Sequence, residues 1–414
     1  MQYYHRLIET EIKKQLAKPE AIFILGARQV GKTSLMKHLM SELTPEEILY
    51  MDLENPENLT LINAGINEFL NFLQYKNSKH ENKKYIFIDE IQYAADFSSL
   101  IKYMVDHYSD KYKFILSGSS SLQIRKQFQE SLVGRKIIFE LYPLNFTEFC
   151  RFKEEDHIAD ILIGIDSFKL ATDPLRFARN KVQNIWQEFL IFGGFPKAVL
   201  QNEKKDKIRV LQDIVNSYIF KDIRHIFNLE KVDQFNHLIK LLAVFTGKQL
   251  NFSQLATESR LHKQSLEHYI NALESGYIIK LIKPFHRNLS SELRKTPKCY
   301  FIDNGLRNCL INNFTDTEFR TDRGEILENY IFSQLIKRTD INTKLNYWRT
   351  KNKQEIDFIW QKENQLFALE SKWNQIAGKN LKKFVSSYKQ AETFTISFSQ
   401  ELDMEKHIIP GYLI

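Results

Sequence analysis

Gly26-Ala27-Arg28-Gln29-Val30-Gly31-Lys32-Thr33 decides the fold of this 414-residue chain. The run fits the phosphate-loop template G-x-x-x-x-G-K-[ST]. It follows an apolar, strand-like stretch, Ala21 to Leu25, and precedes a helix-like stretch, Ser34 to Met40. Strand, loop and helix in that order turn a short match into a site. The glycines let successive backbone N–H groups face a phosphate, and the helix N-terminus adds partial positive charge. Lys32 can reach the outer phosphates. The Thr33 hydroxyl can complete the oxygen shell of a magnesium ion. The expected cofactors are therefore ATP and Mg2+, and the expected nucleotide set is Gly26, Ala27, Arg28, Gln29, Val30, Gly31, Lys32, Thr33, Ser34 and Ser119. Arg28 fits an adenine contact or a salt bridge as well as it fits catalysis.

Outward from the loop, four more strands are predicted: Glu47 to Leu53, Lys84 to Asp89, Lys113 to Ser117 and Lys136 to Leu141. Helical segments lie between most of them, which implies a parallel sheet covered on both faces. The strand in KYIFIDEIQ ends on Asp89 and Glu90, where open α/β sheets gather ligands. Asp89 fits a magnesium ligand and Glu90 fits the group that orients attacking water. KFILSGSSS ends in hydroxyls. Ser117 or Ser119 can touch that water, or Ser119, Ser120 and Ser121 can simply start a helix. Arg135 fits a charge supplied to a phosphoryl group, including that of a neighbouring subunit, or a salt bridge.

The chain is long enough for several domains. Its net charge of +7 is compatible with nucleic acid as a partner but does not demand it. Three cysteines, Cys150, Cys299 and Cys309, lack metal-ligand spacing and suggest no disulfide framework, so a reducing, cytoplasmic setting is expected. The charged N-terminus, MQYYHRLIETEIKKQL, reads as an amphipathic helix and not a signal peptide. No apolar run reaches bilayer-spanning length, so no membrane partner is expected.

From Asn145 to Phe235 the pattern is mostly helical. Gly193, Gly194 and Pro196 interrupt it within FLIFGGFPKAVL, at a lid or an ordinary helix corner. Helices are predicted over Asn236 to Phe245, Asn251 to Ser259 and Lys263 to Ser275, followed by strands Tyr277 to Pro284 and Lys298 to Ile302. Three helices and a hairpin make a winged helix-turn-helix arrangement. Lys263, Gln264 and His268 fall on the exposed side of its last helix, which suits a DNA groove or a protein partner.

A polar stretch at Asn313 to Arg323 marks a boundary. A helix over Gly324 to Lys337 carries Glu328, and three strand candidates follow in LNYWRT, KQEIDFIW and NQLFALESKW. Glu370 and Lys372 are two apart and share one strand face. Asp357 joins them if the register permits. Asp357 and Glu370 can hold a hard divalent cation, Lys372 can orient water for phosphodiester cleavage, and Glu328 can complete the site. The same residues can instead form a cross-strand ion pair.

The chain resembles the bacterial and archaeal ATPase family with an AAA-type N-terminal domain and a C-terminal DUF4143 domain. The resemblance rests on GARQVGKTSL, YIFIDEIQ, FILSGSSSLQIRKQFQESLVGR, FELYPLNFTEF, FLIFGGFP, KTPKCYFIDNGLRN, LENYIFSQL, WRTKNKQEIDFIW and ALESKW. It implies an ATP-binding core, a winged-helix segment and a restriction-endonuclease-like fold. Its nucleotide motifs fall on Gly26, Gly31, Lys32, Thr33, Asp89 and Glu90. Arg135 ends its Leu-x-Gly-Arg stretch, and its nuclease-like pattern falls on Glu328, Asp357, Glu370 and Lys372. Asn304 departs from the family in FIDNGL, where relatives carry Thr, and is expected to affect a turn. The predicted architecture is thus an α/β P-loop core over residues 1–144, a helical lid over 145–235, a winged helix-turn-helix over 236–312, and a restriction-endonuclease-like domain over 313–414. The expected activity is magnesium-dependent ATP hydrolysis coupled to action on or near DNA, with a metal-dependent nuclease at the C-terminus. The alternative is an ATP-dependent switch or scaffold with a non-catalytic nuclease-like domain, acting through a homo-oligomer or a protein partner.

Overall fold

The computed structural model describes residues 3–76, 82–119, 132–166, 168–224, 227–285, 296–339, 342–350, 352–374 and 378–414. Two compact units divide the chain, Met1–Tyr142 and Pro143–Ile414.

In the first unit, α1 (Ile8–Lys13) precedes β1 (Ala21–Leu25), α2 (Lys32–Ser41) and β2 (Ile48–Asp52). Then come α3 (Pro56–Asn63), α4 (Ile66–Lys76), β3 (Lys84–Asp89), α5 (Phe97–Tyr108), β4 (Tyr112–Gly118) and β5 (Lys136–Glu140). The sheet has the order β2-β3-β4-β1-β5, and every pairing in it is parallel. All residues of β1 and β4 are buried, as expected for strands covered on both faces. The apolar stripe Phe97, Leu100, Ile101, Met104 and Val105 docks α5, and Asp96 caps it by accepting from Ser99 N–H. Each predicted strand forms, with ends within one residue. The predicted N-terminal helix is shorter than its pattern. Arg6 lies just outside it and donates to Val30 O and Tyr142 O at 2.8 and 2.7 Å. Those two backbone acceptors hold the approach segment in a non-helical path.

The second unit opens with α6 (Phe146–Phe152), α7 (Asp156–Ile163), α8 (Arg179–Phe192), α9 (Pro196–Val199) and α10 (Lys204–Ile214). A π-helical stretch, Val215–Ile223, continues α10. Gly193 ends α8 at φ +69°, where an added Cβ would lie 2.1 Å from Asp303 Oδ1. Asp303 also accepts from Gly194 N–H at 2.7 Å, so the FGGFP bend is fixed by a buried carboxylate.

Helices α11 (Val232–Val244), α12 (Phe252–Ser259) and α13 (Lys263–Ser275) lead into the antiparallel pair β6 (Ile279–Ile282) and β7 (Lys298–Phe301). Next come α14 (Asn304–Leu310) and α15 (Arg323–Lys337). Asn304 opens α14 and is buried. Its amide donates to Leu190 O and Ile326 O, and it accepts from Asn329 at 2.7 Å. The expected turn position is a polar joint between three helices. Asn329 also bonds both the N–H and C=O of Phe301, at 2.8 and 3.0 Å, tying α15 to β7.

The last sheet contains β8 (Thr343–Arg349), β9 (Glu355–Lys362), β10 (Gln365–Lys372), β11 (Ala391–Ser397) and β12 (Ile408–Pro410), with α16 (Lys379–Ser387) between β10 and β11. Its order is β12-β11-β10-β9-β8. The β8-β9 and β9-β10 pairs are antiparallel, and β10-β11 and β11-β12 are parallel. Ile356, Ile359, Ala368 and Phe384 fill the core under α16. The apolar tail from Ile408 to Ile414 is buried against this unit, as its composition suggests.

Candidate functional site

Leu25 ends β1, and the chain must turn within contact of the next strand. Position 26 needs glycine because a Cβ there would stand 2.1 Å from Leu141 O. Gly31 sits at φ +100° as the N-cap of α2, a conformation an L side chain resists. Lys32 begins the helix and is buried. Its ammonium donates to Gly26 O at 3.1 Å and Ala27 O at 2.9 Å, inside the curve of the loop. Burial pushes its pKa down, against the opposing pull of the Glu90 and Asp89 carboxylates.

The loop places Thr33 beside the end of β3. Thr33 donates its hydroxyl proton to Asp89 Oδ2 at 2.7 Å. Tyr50 donates to the same oxygen at 3.2 Å, and Ser117 donates to Oδ1. Burial and the Asp89 charge push the Tyr50 phenol above its ordinary value, so it remains a donor. Asp89 is thus fixed by hydroxyls from α2, β2 and β4. Hydroxyl and carboxylate oxygens are the hard donors that magnesium takes.

Glu90 follows at φ +57°, in the left-handed region. Its N–H donates to Asp89 Oδ1 and Ser117 Oγ, at 3.1 and 3.3 Å. A glutamate held there costs about 1–3 kcal/mol and marks a position where geometry matters. Its carboxylate accepts from the Gln92 amide, which also donates to Ser119 Oγ at 2.9 Å. Ser119 N–H in turn donates to Gln92 Oε1 at 3.2 Å. Gln92 therefore links the ends of β3 and β4. It was legible in KYIFIDEIQ only as a polar residue two positions past Glu90. Ser120 and Ser121 lie outside the described residues.

Ser34 lies in the first turn of α2, and Arg28 is half-buried and reaches the Tyr93 hydroxyl at 3.3 Å. Arg135 is not brought to the loop. It precedes β5, and its carbonyl accepts from Ala21 N–H at the start of β1. Five residues of strand, about 17 Å, separate that end of the sheet from Gly26. The guanidinium pairs with Asp106 and donates to Val133 O at 3.1 Å.

In the second unit the β9–β10 register brings Leu369 opposite Phe358, so the next step sets Glu370 against Asp357. Lys372 Nζ lies 2.9 Å from Glu370 Oε1. Asp357 Oδ2 accepts from both the N–H and the hydroxyl of Ser371, each at 2.8 Å. Burial pushes the Glu370 carboxyl up, with Lys372 opposing it; one of its oxygens, Oε2, is buried without a hydrogen bond. Burial lowers Lys372, but the Glu370 hydrogen bond and the nearby carboxylates raise it further, so its net shift is upward.

Lys298, from β7, was not anticipated. It is 1% exposed, and its ammonium lies among Glu328, Glu355 and Asp357, at 3.0, 2.6 and 3.8 Å. Tyr300, two residues on and on the same strand face, donates to Glu328 Oε1 at 2.6 Å. One ammonium cannot neutralise three carboxylates. Burial, with Lys298 opposing, pushes the Glu328 carboxyl up to about 7. Lysine and tyrosine alternating in KCYF carried the signal, but nothing in sequence ties β7 to α15. Among the described residues, Glu328, Asp357 and Glu370 do not bring three ligand oxygens within 4.8 Å of one another.

A family model described as an AAA domain matches residues 18–150, and one described as a domain of unknown function (DUF4143) matches residues 323–410. The chain carries an AAA+-family ATPase domain and a distinct C-terminal DUF4143 domain. ATP hydrolysis is the activity of the first. A third model, a domain of unknown function (DUF8612), matches residues 183–317 and runs across the predicted lid and winged-helix segments. An uncharacterized protein of Methanocaldococcus jannaschii is 24% identical over 367 residues, covering 87% of this chain and 76% of the relative. An uncharacterized protein of Haemophilus influenzae is 24% identical over 357 residues, covering 84% and 81%. A Walker-type ATPase of Pyrococcus abyssi superposes with a TM-score of 0.47 at 14% identity, covering 74% of this chain and 96% of that one. No helix among the described residues is long and apolar enough to cross a membrane.

Proposed function

We propose that this chain is a magnesium-dependent ATPase that works on or near DNA. The observation that carries the reading is the meeting of Thr33 with Asp89, beside a buried lysine in a glycine-shaped loop. Backbone N–H groups from Gly26 to Ser34 and the Lys32 ammonium bind the phosphates. Thr33 and Asp89 would hold magnesium, which neutralises charge on the phosphate oxygens. Glu90 would orient the attacking water and accept its proton, and Gln92 with Ser119 keeps that carboxylate in place. Arg135 serves a phosphate only on a neighbouring subunit, which ATP-stimulated assembly of the chain into a homo-oligomer would test.

The DNA element of the reading rests on the net charge of +7 and on residues 236–312. There α11 to α13 and the β6–β7 pair follow in winged-helix order, with Lys263 and Gln264 exposed on α13. His268 is engaged with Phe227 O at 2.9 Å and adds less. Fluorescence anisotropy with labelled duplex DNA at increasing salt tests it. Binding that weakens with salt and with Lys263→Ala supports it, and no binding at low salt removes it.

For residues 313–414 two readings compete. In a restriction-endonuclease-like domain, Asp357 and Glu370 would hold the metal and Lys372 would orient water. A non-catalytic domain driven by an ATP switch is favoured by Lys298, whose ammonium already occupies the space among the carboxylates of Glu328, Glu355 and Asp357 where a cation would sit. Plasmid cleavage with magnesium or manganese separates them. Cleavage abolished by Lys372→Ala supports the nuclease; ATP turnover without cleavage supports the switch.

A further inference from the structure

The first unit holds a second polar cluster, made of residues other than the Walker set. His5 precedes α1, Glu9 lies within it, and His38 lies on α2, the helix that begins at Lys32. One ligand atom from each, two imidazole nitrogens and a carboxylate oxygen, lies within 4.8 Å of the others. His38 Nε2 stands 3.1 Å from Glu9 Oε1, and His5 Nδ1 stands 3.3 Å from the same oxygen.

Three features distinguish this cluster from ordinary ion pairing. Glu9 is 3% exposed, an unusual place for a carboxylate on a short helix. His38 Nε2 is buried yet makes no hydrogen bond, although a carboxylate oxygen is within reach. The ligand candidates are oriented from behind. Tyr3 stacks on the His38 ring at 3.9 Å between centroids, and its hydroxyl donates to Glu9 Oε2 at 2.9 Å. Outer contacts of this kind fix ring and carboxylate direction in metal sites.

We propose that His5, Glu9 and His38 bind a divalent transition cation of the zinc class. Two imidazoles and one carboxylate suit zinc, with a fourth position left for water or for Glu42, whose Oε1 lies 3.4 Å from His38 Nε2. Lys13 is the competing cation. Its ammonium lies 2.8 Å from Glu9 and 2.6 Å from Glu42, so with water in the fourth position metal entry leaves it paired with Glu42. The bound ion would clip the N-terminal segment onto the phosphate-loop helix.

The test uses the full chain freed of metal by chelation. Zinc is titrated calorimetrically near neutral pH, and cobalt is followed by visible absorption. The expected result is one tight equivalent, tetrahedral cobalt bands and a rise in Tm with zinc. The chain has 11 histidines, so weak surface binding must be separated from this site. His5 is 61% exposed as a side chain, and His5→Ala leaves the fold intact while lowering affinity at least about 10-fold. His38→Gln should lower it further, and Lys13→Ala should raise it. No tight zinc binding by the wild type, or equal binding by wild type and the His5→Ala/His38→Gln pair, overturns the proposal.

Discussion

Thr33 and Asp89 stand 56 residues apart in sequence and share a 2.7 Å hydrogen bond at the end of the parallel sheet. Neither residue has this meaning alone. β1 delivers the loop and β3 delivers the carboxylate, with β4 between them supplying Ser117. The sheet order thus brings the phosphate-loop threonine and the β3 carboxylate together at one end of the sheet.

Lys32 supplies a buried charge that no other residue of the loop replaces. Lys32→Ala removes its charge-assisted hydrogen bonds to the phosphates, worth roughly 3–4 kcal/mol together. ATP affinity should fall by about 100-fold or more, as read by calorimetry in magnesium buffer. Undiminished binding would displace Lys32 from the site.

Gln92 is a positioning residue, since it reaches Glu90 and Ser119 and no phosphate-loop atom among its hydrogen bonds. Gln92→Ala should lower kcat by about 10-fold while leaving KM for ATP nearly unchanged. A rise in KM at constant kcat would show instead that Gln92 contacts the nucleotide.

The first unit was largely readable before folding. GARQVGKT and YIFIDEIQ carry local chemistry in local order, and buried strands such as Ala21–Leu25 announce themselves as apolar runs. Two things were hidden. Arg135 fits a phosphoryl contact or a salt bridge equally in sequence, because its distance from the loop depends on strand direction, and parallel pairing sends it to the far end of the sheet, where it pairs with Asp106. Lys298 read as an ordinary strand residue because its carboxylate partners come from α15 and β9. Side chains that meet only through tertiary packing leave no spacing to read.

Lys298 is the internal counter-ion of the C-terminal carboxylates. Lys298→Met removes the ion-pair partner of Glu328 and Asp357 and leaves Glu355 to Arg349 alone, and loss of a buried partner costs about 3–5 kcal/mol. Chemical denaturation should show that loss, and adding Glu328→Gln should restore part of it. Equal stability of wild type and Lys298→Met would mean that the lysine holds nothing together.

Glu328 gives this unit a pH signature. Its carboxyl is raised from 4.5 to about 7, so the folded chain keeps a proton that the unfolded chain releases between those values. Its contribution is fully present below pH 4.5 and lost as pH rises through about 7. Glu328→Gln should flatten the fall in stability between about pH 5 and about pH 8 by on the order of 2 kcal/mol. Parallel stability curves for the two proteins would place the Glu328 proton elsewhere.

In the proposed ATPase, Glu90 activates water at a magnesium–ATP site built by Thr33 and Asp89. The most direct measurement is steady-state ATP hydrolysis by wild type and Glu90→Gln, with ATP affinity measured alongside. Glu90→Gln should bind ATP as the wild type does and turn it over about 100-fold or more slowly. Wild-type turnover by Glu90→Gln, or no ATP binding by either protein, would contradict it.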